Sequence, residues 1–393
     1  MKRPRNVHVV FWTIFIILPI IFIFTRSIEL LNNPTHYKTR KHPQLTDITN
    51  ITVPTQSLRQ QKRESDIMIV GYIRGGSTFL GELMGVREGS FYLYEPLYGL
   101  SKLGYFKPGY HCNTMDTYCS EAVNMDMHAL GFLKSIYSCD FRLMDGKISL
   151  WSFAKGRGDF NWTKSLTDCD GQLKNCFNKQ ILRCNNATSI VTKVVRVTVG
   201  LVGRMLSKFP NLKIIHLMRD PRAVINSRME IWPSNTKNTL ETARSICRKM
   251  KEDLMESKRL EAQNPNRVRT VFYEDLAMDP INVTKDLYKF ANYEFSSGDE
   301  IRIRNMTGSN LIIEKAKQKW SLFKQSSADT ASKWRQTIPP SVSFLTSMGC
   351  SVVYDIAQYP ELKTKKDLRN SSIPLRLPKT RYSLLYDYLA QNV

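Results

Sequence analysis

Residues 66–84 read DIMIVGYIRGGSTFLGELM, and three kinds of chain follow one another there without a break. Ile67 to Val70 is a short apolar run, the pattern of a parallel strand covered on both faces, where neither side needs polar residues. Gly71 to Thr78 is glycine-rich and carries the Ser77 and Thr78 hydroxyls and the fixed charge of Arg74. From Phe79 to Met84 the pattern turns helical. A strand, a glycine loop and a helix in that order offer backbone N–H groups and a helix N-terminus to an anion. The spacing is not that of a nucleotide-hydrolysing loop: no GxxxxGK[ST] occurs in the chain, which argues against an ATPase.

The same alternation continues outward. Val191 to Val199 is β-branched and predicts a strand, with a helix-like Gly200 to Lys208 and a turn at Pro210-Asn211 after it. Leu212 to Met218 predicts a further strand, and Arg219-Asp220-Pro221 leads into a helix with proline early in it. Leu240, Ala243, Cys247, Met250 and Leu254 share one face of a long helix spanning Leu240 to Leu260. Val268 to Tyr273 reads as a strand and Pro280 to Phe290 as a helix. Strands alternating with helices predict an α/β fold, a P-loop-like parallel sheet flanked by helices with right-handed crossovers.

Before this domain lies a different composition. Val7 to Phe24 reads VHVVFWTIFIILPIIFIF, roughly 27 Å as a helix at 1.5 Å per residue and close to the thickness of a bilayer core. Lys2, Arg3 and Arg5 precede it, so the positive-inside rule leaves the short tail in the cytosol and the bulk of the chain in the lumen. The expected organisation is a tail over 1–6, a transmembrane signal-anchor over 7–25, a polar stem over 26–64 and one catalytic domain over 65–393. Sequons at Asn50, Asn161, Asn186, Asn282, Asn305 and Asn370 agree with a lumenal location. So do eight cysteines without a CxxC, an even number that suggests disulfides in an oxidising compartment. Six of these, Cys112 to Cys184, mark a stapled, loop-rich insertion over about 110–185.

The net charge, 57 basic minus 35 acidic residues or +22, favours polyanionic partners. It is spread along the chain without a long basic block or a basic helix with heptads, so nucleic acid is not the expected partner.

Chemistry-bearing residues gather at the ends of the expected strands. Arg74, Gly75, Gly76, Ser77, Thr78 and Phe79 form the first anion loop. The strand Leu212 to Met218 delivers Arg219 at its carboxyl end, where open α/β sheets bind ligands. With Arg219, Asp220, Arg222 and Ser227 around the next helix start, a second phosphate finds both charges and a hydroxyl. Glu95, in Tyr94-Glu95-Pro96, is the expected general base, with burial among Phe91, Tyr92 and Tyr94 raising its pKa toward a useful value. His216 lies inside an apolar strand and reads first as a core histidine. Lys193 shares a strand face with Val191, Val195 and Val197, where it either points inward to a ligand or snorkels.

Together these segments resemble one family. GYIRGGSTFLGEL (71–83) looks like the 5′-phosphosulfate loop of the Golgi carbohydrate sulfotransferases, and LKIIHLMRDPRAVINSR (212–228) looks like their 3′-phosphate motif. VRTVFYEDLAMDP (268–280), FYLYEPLYGL (91–100) and ASKWRQTI (331–338) resemble segments the family carries at the corresponding places. The group sulfating the 6-hydroxyl of N-acetylglucosamine, galactose or N-acetylgalactosamine is the most similar. Gly75 stands where that group commonly has Ser or Thr, and Thr78 where it has Ser. The resemblance implies that Arg74 to Phe79 hold the 5′-phosphosulfate of 3′-phosphoadenylyl sulfate, and that Arg219 and Ser227 hold its 3′-phosphate. It also implies a glycan or glycosaminoglycan acceptor, no required metal, and a single-pass type II place in the Golgi membrane. Homo-oligomerisation stays open.

Two other classes share some of these features. A Golgi glycosyltransferase would have the anchor, stem and sequons, and Asp168-Cys169-Asp170 has the form of its metal–nucleotide motif. That string sits in the cysteine-rich insertion, however, and not after an apolar strand. A non-enzymatic glycan-binding ectodomain would account for the charge but not for two anion loops at strand ends.

Overall fold

In a computed structural model of the chain, the described residues are 64–98, 109–112, 119–122, 125–141, 173–232, 238–308 and 326–378. All lie in one compact unit, residues 59–393. The expected anchor over 7–25, the stem up to residue 63, and the Asp168-Cys169-Asp170 string lie outside them. Among the described residues no helix is long and apolar enough to cross a membrane.

Five strands form one parallel sheet in the order β2-β5-β1-β6-β7: β1 (Asp66–Val70), β2 (Ser90–Tyr94), β5 (Ser189–Val194), β6 (Leu212–Met218) and β7 (Val268–Phe272). A separate antiparallel pair, β3 (Gly109–Cys112) and β4 (Cys119–Ala122), lies in the cysteine-rich stretch. The helices are α1 (Ser77–Gly85), α2 (Met125–Tyr137), α3 (Leu173–Asn185), α4 (Val199–Gly203), α5 (Pro221–Met229), α6 (Thr239–Gln263) and α7 (Tyr273–Met278). They continue with α8 (Pro280–Ala291), α9 (Ser297–Thr307), α10 (Ser327–Ser332), α11 (Trp334–Thr337), α12 (Pro340–Ala357) and α13 (Lys365–Arg369).

The central strand explains its own sequence. Ile67 and Ile69 of β1 join a core with α1, α7 and α8, while Met68 and Val70 join a core with α2, α3 and α4. Alternate side chains of a strand point to opposite faces, and with helices on both faces each must be apolar. A third core packs α5, α6 and α12 together. The Cys247–Cys350 disulfide joins α6 to α12 across 103 residues, and Cys139–Cys184 closes a separation of 45. On chain-entropy grounds the longer bridge stabilises by roughly 4–5 kcal/mol.

The sheet differs from the sequence reading in one strand and adds another. The run Val191 to Val199 does not remain a strand: β5 ends at Val194, and Thr198 caps α4 by accepting from the Leu201 N–H. α4 is correspondingly short, ending at Gly203 rather than Lys208. β2 (Ser90–Tyr94) overlaps the segment 91–100, to which the sequence reading assigns no strand. Because β1 has β5 on one side and β6 on the other, the chain changes direction across the sheet at the carboxyl end of β1. That switch point is where open α/β sheets bind ligands.

Candidate active site

The loop after β1 is held from below. The Tyr72 hydroxyl donates to Asp253 on α6 at 3.0 Å, and the Gly75 N–H donates to the Tyr72 carbonyl at 2.8 Å, closing a tight turn. Arg74 takes the left-handed region at φ 70° and Gly76 takes it at φ 88°. A non-glycine residue there carries strain that the surroundings must hold. Gly76 is needed twice over, since a Cβ on it would lie 2.2 Å from the Tyr273 ring. α1 then begins at Ser77 with no side chain capping it. Its start, at the positive end of the helix dipole, therefore has no side-chain acceptor for its first N–H groups.

The two expected anion sites are one continuous cluster. Arg74 Nε donates to Ser227 Oγ at 3.0 Å, and Arg219 Nη1 donates to the Arg74 carbonyl at 3.1 Å. The Arg219 guanidinium lies over the Tyr273 ring at 4.2 Å. Arg228 Nε donates to the Ile73 carbonyl at 3.1 Å. Burial depresses the Arg74 pKa, and the like charge of Arg219 depresses it further, against a smaller opposing effect from Glu230. Burial lowers Arg228 to about 10. Cations crowded together at a strand end are the electrostatic signature of an anion site. Arg219 Nε is buried with no hydrogen-bond partner among the described residues, a donor suited to a phosphate oxygen.

Asp220 and Arg222, both in the expected ligand set, are bound to each other in the structure. Arg222 is fully buried, its guanidinium bound to both Asp220 oxygens and to the Pro360 carbonyl, between the rings of Trp334 and Tyr354. Burial alone would lower its pKa, but Asp220 outweighs that and raises it. Asp220 also caps α5. The pair braces the turn that presents Arg219, with Arg222 Nη1 left buried and without a hydrogen-bond partner among the described residues.

Glu95 follows β2 at φ 42°. It forms a close ion pair with Lys193 of β5 and another with Arg196 at 2.7 Å. Lys193 lies 4.2 Å from the Tyr94 ring, and the Tyr94 hydroxyl is 3.3 Å from Thr78 Oγ1. Burial works to raise the Glu95 carboxyl, but Lys193 and Arg196 outweigh it and hold it below its ordinary value. The expected upward shift is therefore reversed, because sequence proximity to aromatics gave no sign of two cations arriving from β5 and the turn after it. Lys193 does point inward, toward Glu95. His216 is a core histidine, hydrogen-bonded to the Tyr72 hydroxyl at 3.0 Å and to Ser257 at 2.8 Å, with burial lowering it to about 4.

Three contributors went unassigned in the sequence reading. Arg228 and Tyr273 both stood inside quoted motifs. Glu274 accepts from the Asp220 N–H at 2.9 Å and from the Tyr359 hydroxyl at 3.1 Å. Burial raises it to about 7. Among the described residues no cluster of three or more His, Cys, Asp or Glu is placed to hold a metal ion.

Residues 66–297 match the model of the Sulfotransferase family, and the chain belongs to that family. Among curated proteins it is 26% identical to carbohydrate sulfotransferase 1 of Danio rerio over 358 residues, covering 81% of this chain and 83% of the relative. It is 26% identical to carbohydrate sulfotransferase 1 of Homo sapiens, covering 80% and 84%. It is 24% identical to carbohydrate sulfotransferase 3 of Tetronarce californica, covering 80% and 77%. The resemblance read from the motifs is borne out by these matches. Among solved structures, the sulfotransferase domain from the Synechococcus PCC 7002 olefin synthase is similar with a TM-score of 0.40 and 20% identity, covering 74% of this chain and 95% of the other.

Proposed function

We propose that this chain transfers a sulfuryl group from 3′-phosphoadenylyl sulfate to a sugar hydroxyl, the 6-hydroxyl, in a glycan or glycosaminoglycan chain. The observation that carries this reading is the joined cluster of Arg74, Ser227 and Arg219 beside the uncapped start of α1. A donor with phosphates at both ends of its ribose needs two anion sites a few ångströms apart, and this cluster supplies both.

The donor supplies an activated sulfuryl group. Ser77, Thr78 and the α1 N-terminus stabilise the charge that grows on the leaving 5′-phosphate, and Arg74 adds a fixed positive charge. Arg219 and Ser227 hold the 3′-phosphate. The acceptor oxygen forms its bond to sulfur as the sulfur–phosphate oxygen bond breaks, leaving adenosine 3′,5′-bisphosphate. The hydroxyl proton passes to Glu95. A carboxylate with a depressed pKa is a weak base, but in a loose, in-line transition state the proton is lost late and needs only a weak one. This scheme uses no metal, and activity that survives EDTA supports it.

The apolar run over 7–24, the basic flank before it and the sequons support a single-pass type II place in the Golgi membrane with a lumenal catalytic domain. Protease added to intact microsomes then leaves nearly the whole chain protected, and complete digestion with no glycan shift rejects that topology. The functional test is transfer of radiolabelled sulfuryl donor to keratan, chondroitin and N-acetylglucosamine-terminated acceptors. Label on none of the three rejects the reading.

A further inference from the structure

A groove of about 530 Å³ lies between α6 and α12, and none of the residues assigned above to sulfuryl transfer lines it. Arg244, Arg248 and Lys251 form its α6 wall. They recur at i, i+4 and i+7, on one face of the helix and along about 10 Å of its axis. All three are exposed, and none has an ion pair or hydrogen bond among the described residues. Glu241, the single acid lining the groove, is already engaged by the Asn238 side chain. The groove is rigid as well as basic. Gly349 lets α12 meet α6 so closely that a Cβ there would lie 2.9 Å from the Ala243 Cβ, and the Cys247–Cys350 disulfide lines the groove itself. Walls fixed in advance spare a ligand the cost of ordering them.

We infer that this groove is a second glycan site, binding a carboxylated or already sulfated stretch of the acceptor chain remote from the sugar being modified. The inference rests on the carbohydrate reading above. A row of three cations suits several anionic groups along an extended polymer better than one small ion. The reaction itself makes the acceptor more anionic, so product chains bind here more tightly than unmodified ones. The enzyme accordingly favours long, partly sulfated acceptors over short neutral ones.

The test reverses the charge of the groove with Arg244→Glu, Arg248→Glu and Lys251→Glu together. The control reverses three exposed cations elsewhere with Lys363→Glu, Lys365→Glu and Lys366→Glu. Binding of fluorescein-labelled chondroitin sulfate is read by anisotropy at near-physiological salt. The groove variant loses about tenfold or more in affinity, and the control changes less than twofold. KM for polymeric chondroitin sulfate rises in parallel, while kcat and KM for a short N-acetylglucosamine-terminated acceptor stay at wild-type values. Equal losses in the two triple variants mean bulk attraction to a +22 chain and overturn the inference, as does no loss, or equal impairment on the short acceptor. Wild-type protein that sulfates no acceptor rejects the functional reading instead, and the anisotropy comparison still decides the groove.

Discussion

Arg74 Nε donates to Ser227 Oγ at 3.0 Å, across 153 positions of sequence. Because the serine oxygen is the acceptor in this contact, its own proton stays available to a ligand oxygen. Ser227 thus links the two halves of the anion cluster and still presents a donor.

From this contact, Ser227→Ala and Arg219→Ala weaken donor binding through the 3′-phosphate. For Arg219→Ala the expected loss is roughly 2–4 kcal/mol, about 30- to 1,000-fold in Kd. A donor lacking its 3′-phosphate is the control, measured by calorimetry. An equal effect of Arg219→Ala on both donors shows that Arg219 does not read that phosphate.

Gly76→Ala places a methyl group against the Tyr273 ring and forces alanine to φ 88°. Overpacking and the left-handed backbone together cost roughly 2–4 kcal/mol. Both the melting temperature and donor affinity fall. A variant that melts and binds like wild type removes the tight Gly76–Tyr273 contact from the account.

Glu95→Gln keeps donor affinity and lowers turnover by about 10²–10⁴-fold, the usual range for losing a general base. It also leaves Lys193 buried without its carboxylate, so some loss of stability accompanies it. Rates are therefore compared well below the melting point, with adenosine 3′,5′-bisphosphate binding as the fold check. Near-normal turnover assigns Glu95 to structure alone.

Arg222→Met breaks the sealed pair with Asp220 and destabilises by about 3–5 kcal/mol, because it strands a buried charge. Donor affinity of the folded fraction changes little, unlike that of Arg219→Ala. Urea melts alongside binding separate the two, and a donor-binding loss as large as that of Arg219→Ala makes Arg222 a donor ligand.

Two buried groups oppose each other in pH. His216 has a folded pKa of about 4 against an ordinary 6.5, so the unfolded chain binds the proton first. Stability then falls as pH drops from 6.5 to 4, by roughly 3 kcal/mol. Glu274 has a folded pKa of about 7 against 4.5, so the folded chain binds the proton first. Its contribution is absent above 7 and grows by a similar amount as pH drops from 7 to 4.5. The wild-type contributions nearly cancel in this window. Glu274→Gln removes one of them, and its stability falls steadily below pH 6.5 in chemical denaturation. A variant profile parallel to wild type rejects the assignment.

What the sequence disclosed and what it hid follow from the range of the interactions. β1 and β6 were legible because strands covered on both faces read as unbroken apolar runs, and the loop at Gly75-Gly76 because its glycines punctuate the chain. The run 191–199 misled because β-branching continues past the point where the Thr198 cap starts a helix, and a cap is a weaker signal than five valines. Within RDPR both arginines look alike. Only the packing of Trp334 and Tyr354 against one of them, more than a hundred residues further on, shows which is sealed. The sign of the Glu95 shift was hidden for the same reason: Lys193 arrives through the β2–β5 pairing, and Arg196 from the turn that follows it, neither of which a local pattern specifies.

The bridge between Cys247 and Cys350 also sets a clock. A ribosome adding about 5–20 residues per second needs roughly 5–20 s to make the 103 residues between the two thiols. Through that interval Cys247 stands reduced beside cysteines already synthesised, Cys139, Cys176 and Cys184 among them. Wrong partners are thus on offer before the right one exists. A nascent chain paused between these positions would accumulate mixed disulfides at Cys247, and a Cys350→Ser chain would never discharge them.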